Sequence, residues 1–229
     1  MGTIMKYNNI RTINLNKIRP QNIHTNISNK SIKPYFENLE EKIVDYISNA
    51  KYIVGCAAWL TSDNVMNALD KTCGCKIIVN KEEFLNSNME ISDRPYYKSL
   101  RNKYHNLPDI FNVNCICCNN KILKCNNFNN IFGDLNHTDK KGAILTCGVV
   151  NNMSKMHHKF LIFFDEKMKP YGVWTGSYNL SKTSNYSLEN ALYITDMDVI
   201  MEYIKEFKVI YNYSEPHEWK SGILCKPQQ

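Results

Sequence analysis

MHHKFLIFFDEKMKPYGVWTGSYNLSKTSNYSLENALYI, from Met156 to Ile194, contains three short apolar runs: Phe160 to Phe164, Tyr171 to Trp174, and Ala191 to Ile194. Each is bounded by polar residues, the pattern of three strands in one sheet. Alternate side chains of an extended chain leave the same face, so His157 and Lys159 point together, as do Ser177 and Asn179. An imidazole, an ammonium, a hydroxyl and a carboxamide gathered in one place make a pocket for a phosphate group, and such a pocket needs no metal.

Each residue type has a physical task there. A neutral imidazole is nucleophilic near pH 7 and can attack phosphorus, which makes His157 the candidate nucleophile and phosphohistidine the intermediate. Lys159 supplies positive charge to the non-bridging oxygens during in-line displacement. Ser177 and Asn179 donate neutral hydrogen bonds to the same oxygens. Glu189 is expected to accept the second ring N–H of His157 and so fix the tautomer that leaves the attacking nitrogen free.

The same residues resemble the phospholipase D superfamily, whose signature is H-x-K, four residues, an Asp, and further on G-S-x-N. His157-His158-Lys159, Asp165 and Gly176-Ser177-Tyr178-Asn179 occupy these places, and Ser187-Leu188-Glu189-Asn190-Ala191 resembles the E-N segment of small single-motif nucleases. Asp165 arrives one residue late, with Phe164 at the expected position. A β-bulge in the strand would restore the alignment. The likeness extends more loosely over residues 37–80. It implies an α/β layered fold with one motif per chain, no cofactor for catalysis, and phosphodiester hydrolysis. In that family a second H-x-K across the site provides the leaving-group acid and the water-activating base. Of six histidines here, only His157 is followed two residues later by Lys. A homodimer with a shared active site is therefore expected, Lys159 and Asn179 entering from both subunits.

The rest of the 229-residue chain is read as scaffold around this block. Phe36, Leu39, Ile43, Val44 and Ile47 share a helical face. Tyr52 to Trp59 reads as a buried strand, Thr61-Ser62-Asp63 as caps of a helix through Leu69, and Cys75 to Val79 as another strand. Helix–strand–helix–strand suggests a mixed, mostly parallel sheet flanked by helices. Ala143 to Val150 is the strand preceding the active block, and Asp196 caps a helix with Val199, Ile200, Tyr203, Ile204 and Phe207 on its apolar face. The domain is expected over 34–214, with a loosely ordered arm at 1–33, a Cys-rich insertion at about 84–142 and a peripheral tail at 215–229.

A net charge of +6 favours polyanionic partners, nucleic acid (DNA or RNA) or anionic lipid headgroups. Within the insertion, Lys98, Arg101 and Lys103 alternate with tyrosines and are candidates for following a single nucleic-acid strand; a solvated helix is the competing reading. Cys115, Cys117, Cys118 and Cys125 are candidate zinc ligands, with His105 and His137 as substitutes, although their spacing is not that of paired C-x2-C knuckles. Nine cysteines without a signal peptide point to free thiols in a reducing intracellular compartment, cytoplasm or nucleus. No apolar run is long enough to span a bilayer. The function expected is that of a metal-independent nuclease. The alternatives are a phospholipase acting on an anionic lipid such as cardiolipin and a catalytically silent phosphate-binding module.

Overall fold

The computed structural model describes Asn14, Asn16 and residues 30–223 other than Thr138 and Asn152. Strand β1 (Ile32–Tyr35) leads to helix α1 (Leu39–Asn49), β2 (Tyr52–Ala57), α2 (Asp63–Asp70) and β3 (Gly74–Asn80). The insertion that follows carries α3 (Pro95–Asn106) and α4 (Asn126–Phe132). Then come β4 (Ile144–Cys147), β5 (Lys159–Phe164), β6 (Pro170–Gly176), β7 (Ala191–Ile194), α5 (Met197–Asn212) and β8 (Glu215–Pro216). All eight strands join one sheet in the order β1-β7-β6-β5-β2-β3-β4-β8.

The fold is mixed α/β, but the sheet is not mostly parallel. Only β2–β3 and β3–β4 pair in parallel. The pairs β1–β7, β2–β5, β5–β6, β6–β7 and β4–β8 are antiparallel. Helical crossovers give parallel neighbours only for β2, β3 and β4. Between β5 and β6 the chain turns within five residues, 165–169, too few for a crossover.

Side chains of β2 and β5 alternate between two apolar layers. Ile53, Ala57, Leu161 and Phe163 face α1, α2 and α3, joining Ile43, Ile47, Leu69 and Tyr104. Val54, Cys56, Phe160 and Ile162 face α4 and α5, joining Phe128, Phe132, Ile204 and Phe207. Each large apolar side chain removed from water here stabilises the fold by about 1.5–3 kcal/mol, and that two-sided burial fixes the register that aims the residues just before β5. Val199 is partly exposed, and the inward stripe of α5 runs instead through Ile200, Ile204, Phe207, Ile210 and Tyr211. The helix ends follow the sequence: Ser62 Oγ accepts from the Val65 N–H, and Asp196 accepts from Asp198 and Val199.

Two boundaries differ from the sequence reading. Most of the 1–33 arm lies outside the described residues, but Ile32 and Lys33 belong to β1, paired with β7. The segment from Glu215 to Ile223 is no peripheral tail: β8 extends the sheet, Trp219 is buried, and the Glu215 carboxylate pairs with the buried Lys81 ammonium. Burying that ammonium demands a partner, and the tail supplies it.

Candidate active site

Four segments meet where β5 begins. His157 and Lys159 enter it, Gly176 and Ser177 leave β6, Glu189 and Asn190 lead into β7, and Trp59 follows β2. Backbone hydrogen bonds lock them: Ala58 N–H donates to His158 O at 3.0 Å, and the N–H groups of Thr61 and Ser62 donate to Leu180 O at 2.9 and 3.0 Å.

Lys159 Nζ lies 3.1 Å from His157 Nδ1 and 2.6 Å from the His157 carbonyl. The His157 ring meets Trp59 edge-on, centroids 5.8 Å apart, and the Trp59 indole donates to Glu82 at 3.0 Å. His158 turns to the opposite face, where its Nε2 is 3.2 Å from Glu206 of α5. Burial, with the Lys159, Lys155 and His158 charges nearby, lowers the His157 pKa below its usual 6.5, so the ring is neutral near pH 7. Burial also lowers the Lys159 pKa, and the Glu189 carboxylate opposes that shift.

Ser177 is held from both sides. Its hydroxyl donates to Glu189, its N–H donates to Asn190 O and Oδ1 at 3.1 Å, and Asn190 N–H donates back to Ser177 Oγ at 3.1 Å. This close pairing explains the glycine before it. A Cβ on Gly176, at φ +156°, would stand 2.3 Å from Asn190 O and 2.7 Å from Ala191 Cα. Asn179 sits on the turn that follows, with its Oδ1 buried and without a partner among the described residues.

The structure thus brings His157, Lys159, Ser177 and Glu189 together, but it pairs them differently from the sequence expectation. Glu189 takes the Ser177 hydroxyl, and no hydrogen bond joins it to His157 among the described residues. Asp165 lies apart, at the far end of β5, where its carboxylate accepts the N–H groups of Lys167 and Lys169 at 2.9 and 2.8 Å and shapes the β5–β6 turn. A register irregularity does occur beside it, but the extra residue is Tyr171 on β6; β5 pairs without interruption from Lys159 to Phe164 along β2. Asp165 is therefore not drawn back into phase.

Arg101 does not line a strand path. It is buried, and its Nη1 donates to Phe84 O and Ser92 O at 2.9 Å, tying the insertion together. Lys103 is paired with Asp63, and Lys98 is exposed. The sequence reading missed Lys155, Trp59 and Asn80, whose Oδ1 accepts the Met156 N–H at 3.1 Å. Asn80, Glu82, Asn151, Met153 and Lys155 line a recess of about 490 Å³ that shares Lys155 with the surroundings of His157. No sequence signal marks Asn80 or Trp59, because only the β2–β3–β5 pairing brings them here.

Residues 43–211 match the family described as "Cardiolipin synthase, PLD-like domain", and the chain belongs to this phospholipase D-like family. Its sequence is 57% identical over 228 residues to the uncharacterized protein L381 of Acanthamoeba polyphaga mimivirus, covering 97% of this chain and 81% of that protein. Among solved structures it is similar to Nuc, a phospholipase D family member from Salmonella typhimurium (15% identity, 83% of this chain and 99% of that one, TM-score 0.47). It is also similar to NucT from Helicobacter pylori (14% identity, 80% and 97%, TM-score 0.49). Phosphatidylserine synthase from Haemophilus influenzae is similar at 13% identity over 84% of this chain and 40% of that one, TM-score 0.47. Likeness at this level does not choose a substrate.

Proposed function

We propose that this chain is a metal-independent phosphodiester hydrolase, a nuclease that works through a phosphohistidine at His157. The observation that carries the reading is the His157–Lys159 pair, its imidazole neutral and its ammonium 3.1 Å away, set against the Ser177–Glu189 pair. An ammonium only donates, so in the resting protein Nδ1 accepts and the ring proton sits on Nε2. An incoming phosphate offers Lys159 a better partner. When Lys159 moves onto a non-bridging oxygen, Nδ1 is free to carry the ring proton, and the Nε2 lone pair so exposed attacks phosphorus. Ser177 and the Asn179 carboxamide bind the remaining oxygens, and the new P–N bond forms as the P–O bond to the leaving group breaks.

The leaving oxygen needs a proton, and water needs a base in the second step. A second His157 supplies both if two chains meet about a two-fold axis through the site. We infer an obligate homodimer on this ground.

Nucleic acid is the substrate favoured by the net charge of +6 and by the positive charges of Lys155 and Lys159 acting on His157. Anionic phospholipid is the second reading. Leu188, next to Glu189, is 56% exposed, and Met153, on the recess, is 96% exposed, so apolar side chains border the site. No helix among the described residues is long and apolar enough to cross a membrane. The eight cysteines among the described residues are all free thiols, which fits a reducing, intracellular setting.

Purified protein incubated in EDTA with labelled single- and double-stranded DNA, RNA, and cardiolipin vesicles tests the proposal. Cleavage of a nucleic acid in chelator supports it. Cleavage of lipid alone transfers the chemistry to the second reading, and activity that returns only with magnesium overturns the mechanism.

A further inference from the structure

We propose that Cys115, Cys117, Cys118 and Cys125 hold a structural zinc ion that staples the insertion between β3 and β4. The four sulfurs all lie within 4.8 Å of one another. Cys115 Sγ is 3.0 Å from Cys117 Sγ and 3.4 Å from Cys125 Sγ, and Cys117 Sγ is 3.5 Å from Cys125 Sγ. A disulfide would bring two of them to about 2.05 Å, whereas four thiolates about 2.3 Å from one zinc stand about 3.8 Å apart. The two distances to Cys125 Sγ fall within about 0.4 Å of the second geometry, and the Cys115–Cys117 pair, at 3.0 Å, must open by about 0.8 Å to complete the tetrahedron.

The backbone is shaped for it. Asn114 and Lys121 pair across a tight loop in which Cys115 N–H donates to Asn120 O at 2.7 Å and Asn119 N–H to Cys115 O at 2.9 Å. Asn119 closes the turn at φ 53°. Three ligands come from this loop. The fourth, Cys125, is the N-cap residue of α4, and its sulfur faces Cys115 and Cys117. Lys121 and Lys124, in the same segment, offset the negative charge that four thiolates leave on a divalent ion.

Spacing in the sequence argued against this site because it lacks two C-x2-C knuckles; the loop reaches the same convergence with C-x-C-C. The two histidines considered as substitute ligands are elsewhere: His137 lies among Phe111, Phe128 and Tyr211, and His105 among His217 and Glu218. Four thiolates and no open position define a structural metal, not a catalytic one. Its place agrees, since Ile116 N–H donates to Tyr52 OH at 2.9 Å at the start of β2, while His157 lies beyond the other end of that strand. Inside the segment only Cys115, Ile122 and Cys125 are well buried, and Ile116 and Leu123 are 49% and 39% exposed, too little apolar burial to fix the loop without a staple.

The test is metal analysis of full-length protein purified without chelator from zinc-supplemented cells. One zinc per chain is expected, released in step with titration of four thiols by a mercurial and read with a zinc-binding dye. A Cys117→Ser, Cys118→Ser double variant should lose the metal and melt at lower temperature, while Cys73→Ser, outside the cluster, should keep it. Should the double variant not fold, the mercurial titration of the wild-type protein decides alone. Reduced wild-type protein that holds no zinc and takes none up, or a disulfide among the four residues, would overturn the proposal.

Discussion

Lys159 Nζ stands 3.1 Å from His157 Nδ1, a contact that the adjacent His158 does not share. His158, one residue away, faces Glu206 on the other side of the sheet in a half-exposed pair, an interaction worth about 0–1 kcal/mol. Replacing His157 with Asn should lower turnover by at least about 10³-fold with the fold intact. His158→Asn should keep activity within about fivefold. Because the pKa of His157 is lowered, the acid limb of kcat/KM should fall below pH 6.5, where the ring gains its proton and loses the nucleophilic lone pair. The reverse pattern of the two variants would refute the assignment.

Gly176 makes a second point of failure. With Asn190 O 2.3 Å from where a Cβ would stand, Gly176→Ala must push β6 away from the Glu189-Asn190 segment and pull Ser177 out of line. We expect a loss of about 1–3 kcal/mol in unfolding free energy and at least a tenfold loss of activity. A variant as active and as stable as the parent would show that Ser177 needs no such support.

Stability should also depend on pH through His217, which is 4% exposed, with Nε2 unpartnered among the described residues. Burial first, then the neighbouring His105, hold its pKa at about 4 in the folded chain against 6.5. Between those values the unfolded chain binds the proton and the folded chain does not. Stability is therefore full above pH 6.5, falls as the pH drops toward 4, and loses at most about 3 kcal/mol in that window. Denaturant melts of wild type and His217→Phe across this range check it; an unchanged slope in the variant would place the effect elsewhere.

Much of this architecture is legible in sequence, for local reasons. The strands Phe160 to Phe164 and Ala191 to Ile194, the Ser62 and Asp196 caps and the inward stripe of α1 follow from periodicity and capping alone. Strand direction does not, since nothing local tells β2 to accept β5 antiparallel along its free edge. Arg101 reads as one cation among tyrosines until the insertion folds around it. Glu215 and Trp219 look peripheral because their partners, Lys81 and the Glu82 carbonyl, are far away in the chain. Of the site, the H-x-K and G-S-x-N pairs are readable, whereas the pairing of Glu189 with Ser177 depends on how β6 meets β7.

The dimer has its own consequence. If two copies of His157 share one phosphate, mixing wild-type protein with an excess of His157→Asn under subunit exchange should drive activity below the wild-type contribution. Unchanged activity, or a fully active monomer by ultracentrifugation, would remove the second histidine from the mechanism.

The most direct measurement is of the covalent intermediate itself. Protein mixed with a labelled oligonucleotide, quenched in alkali within one turnover and digested, should yield a strand joined through phosphate to the peptide carrying His157. The bond should be stable to base and labile to acid, and His157→Asn should form none. A cleaving enzyme that never carries this adduct, or carries it on another residue, would contradict the phosphohistidine mechanism.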